Sequence, residues 1–235
     1  AKVVGIVKTN TSVYPEKRGN GYCAKLETHI EKVKVLGMVN ITVLASGSLF
    51  LGDMKEPITG TKDGEKALNV GVPFNQRPKA VRFDYKVKMS GQPDRIKQNG
   101  FSRKSVVKGQ DCAIMTCLLQ KRHEDSEGNI IAKRIGTAVV RYNKSTDWKN
   151  NATYEIHYGD ISKTGYYDAE IMRLGVGDYY ARNSKGKSVM IKENGWAAAD
   201  ETPTHMILQF TSSLGGAFIG SPGNTFWIDN VELVY

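Results

Sequence analysis

The chain has 235 residues, with 33 Lys and Arg against 24 Asp and Glu, a formal net charge of +9 and three cysteines. An odd cysteine count without a Cys-x-x-Cys pair excludes a disulfide framework and a metal site of that type. No apolar run approaches the roughly 20 residues that a helix needs to cross a bilayer.

The length suits one large β-sandwich, spanning residues 1–235, with a core that needs no covalent staples. Val3 to Val7 reads as a first strand, residues 9–21 as a polar loop, and Cys23 to Leu36 and Val39 to Leu44 as further strands. Gly47 to Gly52 lacks the Gly-Lys-Ser/Thr ending of a phosphate loop, and no βαβ period follows it. Pro73 and Pro78 stiffen the connector before the strand Ala80 to Met89, in which Val81, Phe83, Tyr85 and Val87 share one face. On its other face Asp84 lies between Arg82 and Lys86 and is expected to pair with them.

Residues 91–109 form a basic loop with one aromatic, Phe101, too few for a nucleic-acid stacking platform, so no nucleic-acid partner is expected. Asp111 to Arg122 and Ile130 to Tyr142 read as a hairpin. Residues 143–151 are polar and expected to form a loop that exposes Trp148. Turn residues concentrate in 163–200, which is expected to be an excursion at one rim of the sandwich, with a brief helical period near Asp168 to Leu174. The whole pattern is all-β.

The chain closes on two strands. Met206, Leu208 and Phe210 alternate in the first; in the second, Trp227, Val231, Leu233 and Tyr235 share one face and Phe226, Ile228 and Val234 the other. Asp229 shares the Trp227 face, close to a buried layer, and needs hydrogen-bond donors or a cation there. The stretch Ser212 to Tyr235 (SSLGGAFIGSPGNTFWIDNVELVY) resembles the close of the putative carbohydrate metabolism domain. Ala45 to Gly52, Gly71 to Phe74 with Arg77-Pro78, and Phe83 to Val87 are similar to that family in the same order. The resemblance implies a jelly-roll sandwich, like galactose-binding domains and carbohydrate-binding modules. It further implies a secreted or cell-surface, lipid-anchored protein of an outer-membrane polysaccharide-utilisation system, with glycan-uptake proteins as partners. The chain opens at Ala1 without a signal peptide, so location rests on the resemblance alone.

Sugars present apolar C–H faces bounded by hydroxyls, so a protein that holds them needs aromatic rings beside planar polar groups. Trp148, Trp196, Tyr166, Tyr167, Tyr179 and Tyr180, with Arg182, Asn183 and Asn194 nearby, supply that chemistry and are the candidate carbohydrate-binding residues. A non-catalytic glycan-binding protein is expected. A glycoside hydrolase or lyase on the same sandwich, and a structural subunit of an outer-membrane complex, stand as alternatives. Hydrolysis requires two facing carboxyl groups; Asp168 and Glu170 share parity, but no pair stands out among the acidic residues. Asp229 and Glu232 are candidate ligands for a structural calcium, although their opposite parity argues against one shared ion. An Arg, Lys or backbone partner for Asp229 is preferred, and no other cofactor is expected.

Overall fold

The computed structural model describes residues 2–3, 6–7, 11–35, 39–54, 66–100, 103–216 and 218–235. Eight strands build the framework: β1 (Gly21–Glu27), β2 (Ser48–Phe50), β3 (Ala80–Lys88), β4 (Ala113–Glu124), β5 (Ile130–Tyr142), β6 (Thr146–Glu155), β7 (His205–Thr211) and β8 (Thr225–Val234). They pair in the orders β1-β8-β3-β6 and β2-β7-β4-β5, all antiparallel. The chain therefore crosses between the two sheets again and again, the double Greek-key connectivity of a jelly roll. Val13–Arg18 extends the first sheet beyond β1.

Alternation fixes which side chains meet between the sheets. Leu26, Val81, Phe83, Val87, Phe226 and Ile228 come from one sheet, and Ala113, Met115, Cys117, Leu119, Met206, Leu208 and Phe210 from the other. Phe83 and Phe210 meet edge to face with centroids 5.0 Å apart across this core. The last strand enters it through Phe226 and Ile228, not through Trp227. A bulge at Asn230, which adopts φ 50°, shifts the register against β3 and exchanges the faces. Leu233 therefore packs with Phe226 and Ile228, a change of face that uniform alternation from Trp227 did not anticipate.

The second sheet is apolar on its outer side as well. Ile114, Leu118, Val139 and Ile207 face away from the sandwich and are covered by Ile161, Ile171 and Met172. Residues 159–196 thus lie across the outer face of this sheet rather than at its rim. Their four-residue helix, α1 (Ala169–Met172), is capped by Asp168, whose side chain accepts from the Glu170 amide. A buried ion pair fastens the cover: the fully buried Arg134 of β5 meets Glu193, and Arg134 Nη1 donates to Met172 O at 2.7 Å. Glu193 also accepts from Gln120 Nε2 at 2.7 Å and from the Gly175 amide at 2.9 Å.

Other expectations change. Residues 143–151 are largely strand β6, and residues 9–21 contain the strand Val13–Arg18. Asp84 is buried and pairs with Arg18 Nη1 at 2.8 Å instead of with its strand neighbours, while Arg82 pairs with Glu232. Of the expected strand at Val3 to Val7, Val3, Ile6 and Val7 are paired, and residues 4 and 5 lie outside the described residues, as does Phe101.

Phe226→Ala is expected to lower stability by about 3–5 kcal/mol, because Phe226 is fully buried at the sheet interface; chemical denaturation measures this. Burial alone would raise the Asp84 pKa, but the Asn151 amide, the Asn230 side chain and Arg18 outweigh it and hold the carboxyl below its ordinary value. Its stabilising contribution is complete above the unfolded value of about 3.9 and is lost as pH falls through the depressed native value. Asp84→Asn is expected to flatten that acid-side slope in pH-dependent unfolding.

Candidate functional site

The cover on the second sheet is incomplete. Where it stops, toward the end of β7 and the start of β4, a cavity of about 340 Å³ opens on the outer face, at the small end of the roughly 300–1,000 Å³ usual for ligand sites. Its floor continues the outward-facing rows of three strands: Ser48 of β2, Gln209 and Thr211 of β7, and Ile114 and Thr116 of β4. In each row a polar side chain stands where an apolar one would otherwise need covering. Ser46 Oγ, shielded from solvent, has no hydrogen-bond partner among the described residues. Gln209 Nε2 donates to Ser48 Oγ at 3.0 Å, which fixes the amide in the floor.

One wall is the turn 176–180. Tyr179 lines the cavity together with Thr116, and burial pushes its hydroxyl up to about 12, so it stands there as a neutral phenol. Its ring lies back against Gly177, where a Cβ would come within 2.8 Å of the ring and where φ is +99°. Tyr180 and Asp178 complete this wall.

The opposite wall is Leu214, Gly215, Gly216 and Phe218, from the loop between β7 and β8. A single buried carboxylate organises that loop. Asp111, just before β4, accepts from Ser213 Oγ at 2.6 Å, the Ser221 amide at 2.7 Å and Asn224 Nδ2 at 2.9 Å through Oδ2, and from the Cys112 and Leu214 amides at 2.9 Å through Oδ1. Burial raises its pKa above the ordinary carboxylate value, with these donors pulling the other way. Gly220 is required beside it, because a Cβ there would overlap Ser213 Oγ. Ser213, Leu214, Ser221 and Asn224 of the closing motif thus bind one carboxylate, while Ser212 turns the other way, to Thr28 Oγ1 at 2.8 Å and the Gly47 amide at 3.0 Å.

The sequence candidates separate in space. Tyr179 and Tyr180 line the cavity. Tyr166, Tyr167 and Trp196 pack against the apolar layer of the same outer face; Tyr166 Oη accepts from the Val139 amide at 3.0 Å, and Trp196 lies under Arg134 at 5.4 Å. Arg182, on the short strand Tyr180–Arg182, pairs with Asp53 at 2.5 Å. Trp148 belongs to the other sheet, with the Arg18 guanidinium 3.9 Å above its ring. Ser46, Ser48, Thr116, Gln209 and Thr211 were not singled out from sequence. Their signal was a polar residue interrupting a strand that is apolar on both faces, as in Ile114-Met115-Thr116-Cys117-Leu118 and Leu208-Gln209-Phe210-Thr211.

Asp168 and Glu170 are both held by Arg141, at 2.7 Å each, so that pair forms an ion triad beside α1 rather than two carboxyls facing across a gap. Asp229 meets Arg18 Nη1 at 2.7 Å on the outer face of the first sheet, where the guanidinium supplies the positive charge its position calls for. Glu232 pairs with Arg82. Among the described residues, no three His, Cys, Asp or Glu side chains gather as a metal site would require.

Two solved structures share the architecture. A crystal structure described as a putative glycoside hydrolase from Bacteroides thetaiotaomicron VPI-5482 superposes with a TM-score of 0.55 at 21% identity, covering 98% of this chain and 59% of that one. Another described as a putative glycoside hydrolase, from Bacteroides vulgatus ATCC 8482, gives 0.52 at 17% identity, covering 95% of this chain and 77% of that one. At these identities they establish the fold alone, and this chain spans about three fifths of the first neighbour's length. Comparison with curated proteins finds no match. The family model described as "Putative carbohydrate metabolism domain" matches residues 7–234, and the chain belongs to that family.

Proposed function

We propose that this protein is a non-catalytic glycan-binding protein and that the cavity on the outer face of the second sheet holds the saccharide. The observation that carries this is the composition of the cavity: a strip of hydroxyls and an amide on a firm sheet floor, set among apolar side chains such as Val70, Ile114 and Ile171 and walled by Tyr179 and Tyr180. Ring hydroxyls of a sugar pair with Ser46, Thr116, Gln209 and Thr211, and its C–H face lies against a tyrosine. Ser46 Oγ strengthens the case. An unpaired buried hydroxyl costs about 1–3 kcal/mol, and a sugar hydroxyl supplies the missing partner.

Binding is favoured over hydrolysis by the same lining. Among the described residues it carries one carboxyl side chain, Asp178, whereas the usual glycosidase flanks the scissile bond with two. Membership of a carbohydrate metabolism family agrees with a saccharide ligand. The role suits a protein exported to the cell surface, where polysaccharide is first met and glycan-uptake proteins would receive what it captures.

Affinity electrophoresis and calorimetry against a panel of oligosaccharides test the site. Tyr179→Ala and Gln209→Ala are each expected to weaken binding about tenfold or more, in line with truncating a buried contact worth about 1.4 kcal/mol. Full retention by both, with loss on Trp148→Ala, would move the site to the other sheet. Release of reducing ends from any of these saccharides, abolished by Asp178→Asn, would make the protein a hydrolase instead.

A further inference from the structure

We propose that the cavity selects an uncharged saccharide and discriminates against uronate-bearing and sulfated glycans, despite the net charge of +9 on the chain. This rests on the cavity being the saccharide site and specifies its ligand class. Among the described residues the lining includes no Lys or Arg, and its one carboxyl group belongs to Asp178. A second negative charge stands directly behind the far wall, because the buried Asp111 carboxyl accepts from the Leu214 amide and from Ser213. That wall amide is thereby spent and is not offered to an incoming anion.

The nearby cations do not enter the cavity. Arg95 stands behind the same wall as Asp111, donating to Leu214 O at 3.2 Å and Lys108 O at 3.1 Å, so the two charges there offset each other. Arg141 is held by Asp168 and Glu170, and Arg182 by Asp53. Exposed positive charge does accompany an aromatic ring elsewhere, but on the opposite sheet, where Lys86 lies 4.9 Å from the Trp227 ring in a depression that Lys88 also lines. A carboxylate or sulfate entering the cavity would lose its hydration, find no Lys or Arg among the described lining residues to pair with, and meet the like charge of Asp178. Neutral hydroxyls carry no such penalty. Global charge brings acidic polymers toward the surface, while local chemistry decides what the cavity retains.

The test compares short neutral gluco-, manno-, xylo- and galacto-oligosaccharides with oligogalacturonides and chondroitin sulfate oligosaccharides, measured on the unmodified chain and on Tyr179→Ala. The difference between the two proteins isolates binding in the cavity from binding elsewhere. At least one neutral series is expected to show Tyr179-dependent binding about tenfold or more tighter than any acidic series. Asp178→Asn, which keeps a residue that tolerates the positive φ of 43° at this position, is expected to narrow that gap. Tyr179-dependent binding that favours an acidic series overturns the selectivity and leaves the saccharide site standing. Absence of Tyr179-dependent binding to every oligosaccharide overturns both.

Discussion

The structure turns on a sheet that is apolar on both faces. Residues 113–119 of β4 are buried on both sides, with Met115, Cys117 and Leu119 in the sandwich core, Leu118 beneath the outer cover and Ile114 at its margin, on the cavity floor. Such a strand cannot be left half solvated, at roughly 25 cal/mol per Å² of apolar area. The 159–196 segment is the consequence, a third layer laid over the second sheet. The candidate site follows from the same constraint, because the cavity begins where the floor turns to Thr116, Gln209, Thr211 and Ser48 and the cover is no longer demanded.

Two buried charges hold this arrangement, by different means. Arg134 and Glu193 pin the covering layer to β5, with Gln120, the Gly175 amide and the Met172 carbonyl satisfying their remaining capacity. Breaking a buried pair of this kind from one side leaves an uncompensated charge, the costly case. Among the described residues Asp111 has no cationic hydrogen-bond partner. It is held by five neutral donors, four of them contributed by the 212–224 loop, so that loop has one shape because one carboxylate dictates it. The two devices shape opposite sides of the same cavity. A ligand site placed between them is pre-organised and need not order its own walls on binding.

Much of the fold was legible in the sequence, because strand alternation is a local property. The β4–β5 hairpin, β3 and the two closing strands stand out from periodicity and turn residues. Trp148 was misplaced into a loop because residues 146–151 are polar on a strand that edges the first sheet and faces solvent, which leaves no apolar row to mark it. The exchange of faces after Asn230 was invisible for a different reason: a bulge is a backbone event, and an asparagine accepts positive φ without announcing it. The candidate site was legible only in part. Tyr179 and Tyr180 drew attention as aromatics. Thr116, Gln209 and Thr211 are ordinary strand residues whose meaning appears only when three strands set them side by side, and Asp111 becomes a hub only when the loop 100 residues later folds back to it.

A crystal structure of the protein with a short neutral oligosaccharide bound tests the central claim most directly. Sugar density over Thr116 and Gln209, between Tyr179 and Leu214, with a ring hydroxyl within hydrogen-bond distance of Ser46 Oγ, is the expected result. Saccharide seated on the first sheet beside Trp148 or Trp227, with the cavity holding only water, would contradict it.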